Sequence, residues 1–114
     1  MSKFTIVPLR RENEINKLLR IQKRTGGSLK FLFLSIWDEY SNKLVEEMRR
    51  KCTYATLRDE NVNSNKCIYL VDSFTLPHAF VIFKNRKVPS LVSLNKDLVV
   101  KEDYLPYIYK TLDL

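Results

Sequence analysis

Apolar positions recur along this chain with two different periods, and the alternation between them outlines the elements. Phe4 to Leu9 (FTIVPL) is a short apolar, β-branched run that predicts a first strand. From Arg11 to Arg24 the period lengthens. Ile15, Leu18 and Leu19 fall on one side of a helix, and Lys17, Arg20 and Arg24 fall on the other at i, i+3 and i+7. Thr25-Gly26-Gly27-Ser28 ends it, because glycine supplies the left-handed residue that closes helices. Leu29 to Trp37 (LKFLFLSIW) is almost continuously apolar, as a strand covered on both sides of a parallel sheet must be, and is expected at the centre. Asp38 to Cys52 returns to helical period, with Leu44, Val45, Met48 and Cys52 inward and Glu46/Arg50 and Glu47/Lys51 paired outward. Asp38 suits the N-cap, and the helix can extend to about Leu57. After a polar connection over Arg58 to Asn65, Lys66 to Asp72 (KCIYLVD) predicts another buried strand.

The last third supports two patterns. Ala79 to Phe83 (AFVIF) followed by the polar Lys84-Asn85-Arg86-Lys87 and by Val88 to Leu94 is expected to be a β-hairpin, since five consecutive β-formers oppose the rival helix over Leu76 to Lys87. Lys101 to Leu112 is expected to be a terminal helix with Leu105, Ile108, Tyr109 and Leu112 on one stripe. Tyr104, Tyr107 and Tyr109 there suit either packing or an aromatic contact surface. The sum is a three-layer α/β fold of order β-α-β-α-β, then hairpin and helix, as one domain over residues 1–114.

Composition narrows the chemistry. With 114 residues, 45% of them hydrophobic, the core needs no staple. Cys52 and Cys67 lie outside any CxxC, and His78 is the sole histidine, so no metal or other cofactor is expected. No apolar run reaches the roughly 20 residues of a membrane span. The N-terminus turns charged within ten residues, so a non-secreted, cytoplasmic (or nuclear) protein with reduced thiols is expected, without membrane contact. The formal charge of +7 is concentrated: residues 1–30 hold eight Lys/Arg against Glu12 and Glu14. Arg10, Arg11, Lys17, Arg20 and Arg24 form a basic patch, which is either a solvated helix side or a docking surface. No aromatic lies between Phe4 and Phe31 to stack bases, so an acidic protein segment suits the patch better than nucleic acid.

The order of elements, with Phe33-Leu34-Ser35-Ile36-Trp37 running from the central strand into a helix, resembles the thioredoxin superfamily. Trp37 stands where that family has the aromatic residue before its CxxC. Pro77 or Pro89 stands where it has a cis-proline, and Phe83-Lys84-Asn85 looks like the turn that follows. The resemblance implies that Asp38-Glu39-Tyr40-Ser41 occupy the CxxC positions, with Asp38 and Ser41 in place of the two cysteines. Neither can exchange disulfides, because the reaction requires a thiolate. Trp37-Asp38 with Ile68-Tyr69-Leu70-Val71-Asp72 is also similar to the spliceosomal thioredoxin-like branch. The expectation is a redox-inactive module that binds a protein partner, an acidic or extended segment, around Trp37 to Ser41 and the proline loop, as a component or regulator of a larger assembly. Two alternatives stand beside it: an unusual thiol-disulfide oxidoreductase using Cys52 or Cys67, and a basic nucleic-acid-binding component of a ribonucleoprotein or viral particle. His78 beside Pro77 is expected at the surface, at a strand start, rather than in a hydrolytic site.

Overall fold

A computed structural model describes residues 4–57, 66–82, 87–94 and 100–114. The chain runs β1 (Thr5–Pro8), α1 (Glu12–Thr25), β2 (Leu29–Leu34), α2 (Glu39–Lys51), β3 (Thr53–Tyr54), β4 (Cys67–Asp72), α3 (Pro77–Ile82), β5 (Ser90–Leu94), β6 (Val100–Asp103) and α4 (Tyr107–Thr111). The sheet has strand order β3-β1-β4-β2-β5-β6. Strands β1, β4 and β2 are parallel, with Val7 opposite Tyr69 and Tyr69 opposite Phe31, and β5 and β6 are antiparallel additions. The near-continuous apolar run of β2 is explained by its position between β4 and β5, covered on both sides.

Two apolar clusters sandwich that sheet. On one side Ile15 and Leu18 of α1 and Leu76 and Ala79 around the start of α3 pack on Val7, Phe31, Phe33 and Tyr69. On the other, Leu44 and Met48 of α2 and Ile108 and Leu112 around α4 pack on Ile6, Leu32, Ile68 and Leu91. The three-layer α/β arrangement expected from the pattern is therefore the one observed. Gly26, at φ 74°, ends α1 in the left-handed conformation that a glycine adopts without a Cβ clash.

Three local expectations are corrected. Ala79 to Ile82 do not form a strand: Pro77–Ile82 is helix α3, and the described antiparallel partners of β5 are β2 and β6. Burial gives the reason. Leu76 and Ala79 are buried while Val81 is 70% exposed, and Phe80 meets Phe33 edge-on at 5.0 Å between ring centres. That is a helical period, and packing on the sheet outweighs the β-propensity of the run. Pro77 sits in the first helical turn, where its missing N–H costs nothing. Phe83 and the polar turn after it lie outside the described residues, as does the connection over 58–65. The terminal helix is likewise shorter than expected, because Val100–Asp103 pairs with β5 and Pro106 disfavours helix at Leu105. Finally, α2 stops at Lys51 instead of continuing to Leu57, and Thr53–Tyr54 joins the outer edge of β1.

Candidate functional site

The parallel strands end together, and the residues singled out around Trp37 gather there. Asp38 is the N-cap of α2: its Oδ2 accepts from the Ser41 N–H at 2.8 Å and from the Ser41 hydroxyl at 2.9 Å. The Ser41 Oγ in turn accepts from the Ser35 N–H at 3.3 Å, and Ser41 is 1% exposed. Asn42 donates its side-chain amide to the Ile36 carbonyl at 3.1 Å, tying the strand-to-helix turn to the helix. Ser41 is thus a buried structural hydroxyl with its hydrogen bonds made. The amides of Glu39 and Tyr40, in the first turn, have no intrahelical acceptor.

Around this capped helix end stands an apolar ridge. Ile36, Trp37 and Tyr40 are 52%, 72% and 59% exposed, and Phe74, from the turn after β4, is 65% exposed. Trp37 and Phe74 meet edge-on, with ring centres 5.6 Å apart. Asp72 builds the turn that presents Phe74, because its Oδ2 accepts from the amides of Phe74 and Thr75 at 3.1 and 3.2 Å.

Two depressions flank the ridge. On the β5 side, Tyr40 faces Val88, Pro89, Tyr104 and Leu105 across a hollow of about 520 Å³. The Val88–Pro89 peptide is cis and stands just before β5, whereas Pro77 belongs to α3; of the two prolines, it is Pro89 that shares the site with Tyr40. Lys87 places its Nζ 5.2 Å from the Tyr104 ring centre, and Tyr104 donates its hydroxyl to Glu102 at 2.6 Å. That hydrogen bond to a carboxylate pushes the Tyr104 phenol above its ordinary range. On the other side, an apolar cleft of about 290 Å³ opens between Leu9, Leu34, Ile36, Val45 and Leu70, with Arg10 and Asp72 at its polar margin.

The remaining residues sort cleanly. Arg10, Arg11, Lys17 and Arg20 line one hollow along α1, and Arg24 joins Lys17 and Arg20 in the next, so the basic patch is a spatial unit. His78 is exposed at the start of α3, not at a strand start, and its neighbour Pro77 is a helix residue and not a cis-proline. Cys67 is buried at the head of β4 against the α1/α3 cluster, while Cys52, half-buried at the end of α2, packs on the opposite cluster. The sheet register places Thr53 and Cys67 on opposite sides of Thr5. A bridge from Cys52 would have to cross two interstrand spacings, about 10 Å against a limit near 7 Å. A disulfide between the two cysteines is thereby excluded in this fold. Among the described residues no cluster of three His, Cys, Asp or Glu side chains is placed to hold a metal, and no helix is long and apolar enough to cross a membrane. The sequence pattern missed Phe74 and Ile36 as site residues and did not join Tyr104 to the surface around Trp37; an aromatic flanked by Ser73 and Thr75 in a polar turn is the one signal that marks the first of them.

No protein-family model matches this chain, and no curated protein matches it in sequence. Its similarity is to solved structures. It superposes on thioredoxin from Malassezia sympodialis with a TM-score of 0.62 at 10% identity, over 99% of this chain and 92% of that one. Thioredoxin O2 from Arabidopsis thaliana, in its oxidised state, gives 0.55 at 22% identity over 94% and 93% of the two chains. Trxlp from Edwardsiella tarda gives 0.58 at 10% identity over 94% and 97%.

Proposed function

From a chain with the thioredoxin fold, we propose a redox-inactive binding module that receives an extended polypeptide at the head of α2. One observation carries the proposal: the positions that flank Trp37 hold a carboxylate spent on capping and a buried, hydrogen-bonded serine, while four large apolar side chains stand exposed beside them. Such a surface has no nucleophile and much area to bury. Exposed aromatic side chains are efficient anchors, since they bury a large area with few rotatable bonds. The first-turn amides and the hollow between Tyr40 and Pro89 offer an extended chain backbone hydrogen bonds and a place for side chains. Association with a larger assembly, as component or regulator, is the role such a module would serve.

The test is a native pull-down from the source cell with wild type, Trp37→Ala and the double variant Cys52→Ser/Cys67→Ser, each treated with nuclease. The same protein partner is expected with wild type and the cysteine-free variant and is expected to be lost with Trp37→Ala. Because Trp37 is 72% exposed, that substitution should cost under about 1 kcal/mol of stability. Capture that depends on the cysteines in a folded protein would sink the proposal in favour of thiol chemistry.

A further inference from the structure

The apolar cleft beside the aromatic ridge is built where the parallel strands β1, β4 and β2 give out. Pro8 and Leu9 from the end of β1, Leu34 from β2, Leu70 from β4 and Val45 from α2 make its walls. Crevices beyond the carboxyl ends of parallel strands are where open α/β sheets take ligands. At about 290 Å³ this one sits at the small end of the usual range for such sites, about 300–1,000 Å³. It has room for roughly ten water-sized groups, about the bulk of a leucine.

The rim of the cleft carries one charge of each sign. Pro8 lies opposite Leu70, and Leu9 donates its amide to the Leu70 carbonyl at 3.0 Å, so Arg10 and Asp72 each stand two residues beyond that pair on adjacent chains. Both keep their charges. The Asp72 Oδ2 accepts from the amides of Phe74 and Thr75 and from the Thr75 hydroxyl, at 3.1, 3.2 and 3.4 Å; these neutral donors orient the carboxylate and leave it anionic. Arg10 is exposed and bonds Glu14 through its backbone amide, which leaves the guanidinium out of that contact. Among the described residues no ion pair joins Arg10 to Asp72. The polar groups of Ser41 and Asn42, which also line the cleft, are bonded to Asp38 and to the Ile36 carbonyl.

We propose that this cleft binds a small aliphatic zwitterion, a free branched-chain amino acid, with its side chain among Leu9, Leu34, Val45 and Leu70, its carboxylate toward Arg10 and its ammonium toward Asp72. Charge complementarity makes the selection. A fatty acid would set its carboxylate beside that of Asp72, and an aliphatic amine would set its cation beside Arg10, so a ligand with both charges matches the rim better than either. Residues within a peptide fit less well, because an amino-terminal residue lacks the free carboxylate and a carboxyl-terminal one lacks the ammonium. The inference goes beyond the reading of the ridge and does not rest on it. Trp37 is not a wall of the cleft, so Trp37→Ala should end polypeptide capture and leave the amino acid bound.

The test is a titration of the isotope-labelled full chain with L-leucine, followed by the shifts of its backbone amides. Saturable shifts are expected around Leu9, Val45 and Leu70, with a dissociation constant in the millimolar range. Glycine, isocaproate, leucinamide and N-acetyl-leucine, which lack in turn the side chain, the ammonium, the carboxylate and the free amine, should each bind at least about fivefold more weakly. Arg10→Gln should weaken leucine by at least about fivefold and leave leucinamide within about twofold. Asp72→Asn, which keeps an acceptor oxygen for the Phe74 turn, should weaken leucine likewise without weakening isocaproate. Lys101→Gln, exposed on β6, should change neither, and equal melting temperatures check that all three fold. No saturable shift, shifts that map away from the cleft, equal binding of leucine and glycine, or unchanged binding in both cleft variants would each overturn the proposal. N-acetyl-leucine binding as tightly as leucine would replace it with a site for a peptide carboxyl terminus, and leucinamide doing so with a site for an amino terminus.

Discussion

The two ends of the parallel sheet differ in what they carry, exposed aromatics at one and thiols at the other. At the carboxyl ends of β1, β4 and β2 lie the head of α2, the cis Val88–Pro89 peptide and exposed Trp37, Tyr40 and Phe74, with no thiol. At the amino ends lie the thiols: Cys67 opens β4, and Cys52 follows the last turn of α2. A helix of thirteen residues separates Asp38 from Cys52, about 20 Å. A helix N-terminus activates a thiol only within its first turn, where the partial positive charge of the free amides is felt. Here the end that could activate a thiol has none, and neither cysteine sits where that end can act. The comparison teaches that a helix N-terminus ringed by exposed aromatics and a pair of thiols can stand at opposite ends of one sheet, too far apart for either to act on the other.

The largest effect that would break this contrast is at Asp38. Its Oδ2 serves both the Ser41 amide and the buried Ser41 hydroxyl, so Asp38→Ala removes a cap and leaves a buried donor without its acceptor. Together these should cost about 2 kcal/mol in urea unfolding, with Asp38→Asn recovering most of it. A loss under about 0.5 kcal/mol in Asp38→Ala would mean that the carboxylate is not committed to the fold and is available for another task.

Much of this arrangement was legible in the residues, and its failures have definite causes. The helix at Asp38, the glycine stop of α1 and the buried β2 follow from capping chemistry and from period, which are local. The last third is ambiguous in sequence because its run of Ala79, Phe80 and Val81 satisfies both periods, and only packing on Phe33 decides between them. Lys101 to Asp103 read as part of a helix in the sequence because edge pairing with β5 is a non-local reward. The same limit applies to the site. Trp37 to Ser41 could be named from one stretch, whereas Phe74 and Tyr104 reach it from distant turns, and the choice between Pro77 and Pro89 needed the fold of α3.

A smaller effect separates the cysteines themselves. Cys67 is 6% exposed beneath the α1/α3 layer, while Cys52 is half-buried at a helix end. Alkylation of the native protein by iodoacetamide should therefore modify Cys52 first, with Cys67 slower by at least about tenfold and equalised in urea. Fast modification of Cys67 in the folded state would place a reactive thiol at the amino end and weaken the contrast.

The smallest effect sharpens the comparison through pH, and it belongs to the amino-end side of the sheet. Tyr69 is fully buried two residues after Cys67, with its ring 5.9 Å from that of Phe31. Burial, and then the neighbouring Cys67, push its phenol well above the ordinary range. In the unfolded chain the phenol ionises near pH 10, so above that pH the unfolded state holds fewer protons than the native one. Stability from this group is complete below about pH 10 and is lost as the pH rises toward the folded-state value. Tyr54, raised mainly by partial burial, contributes in the same direction from β3. Tyr69→Phe should consequently flatten, without abolishing, the fall in melting temperature between about pH 10 and 11.5, while Tyr104→Phe at the exposed carboxyl-end hollow should leave that limb nearly unchanged. Parallel alkaline limbs for wild type and Tyr69→Phe would mean that this phenol ionises as readily folded as unfolded, and that the amino end is wetter than its packing indicates.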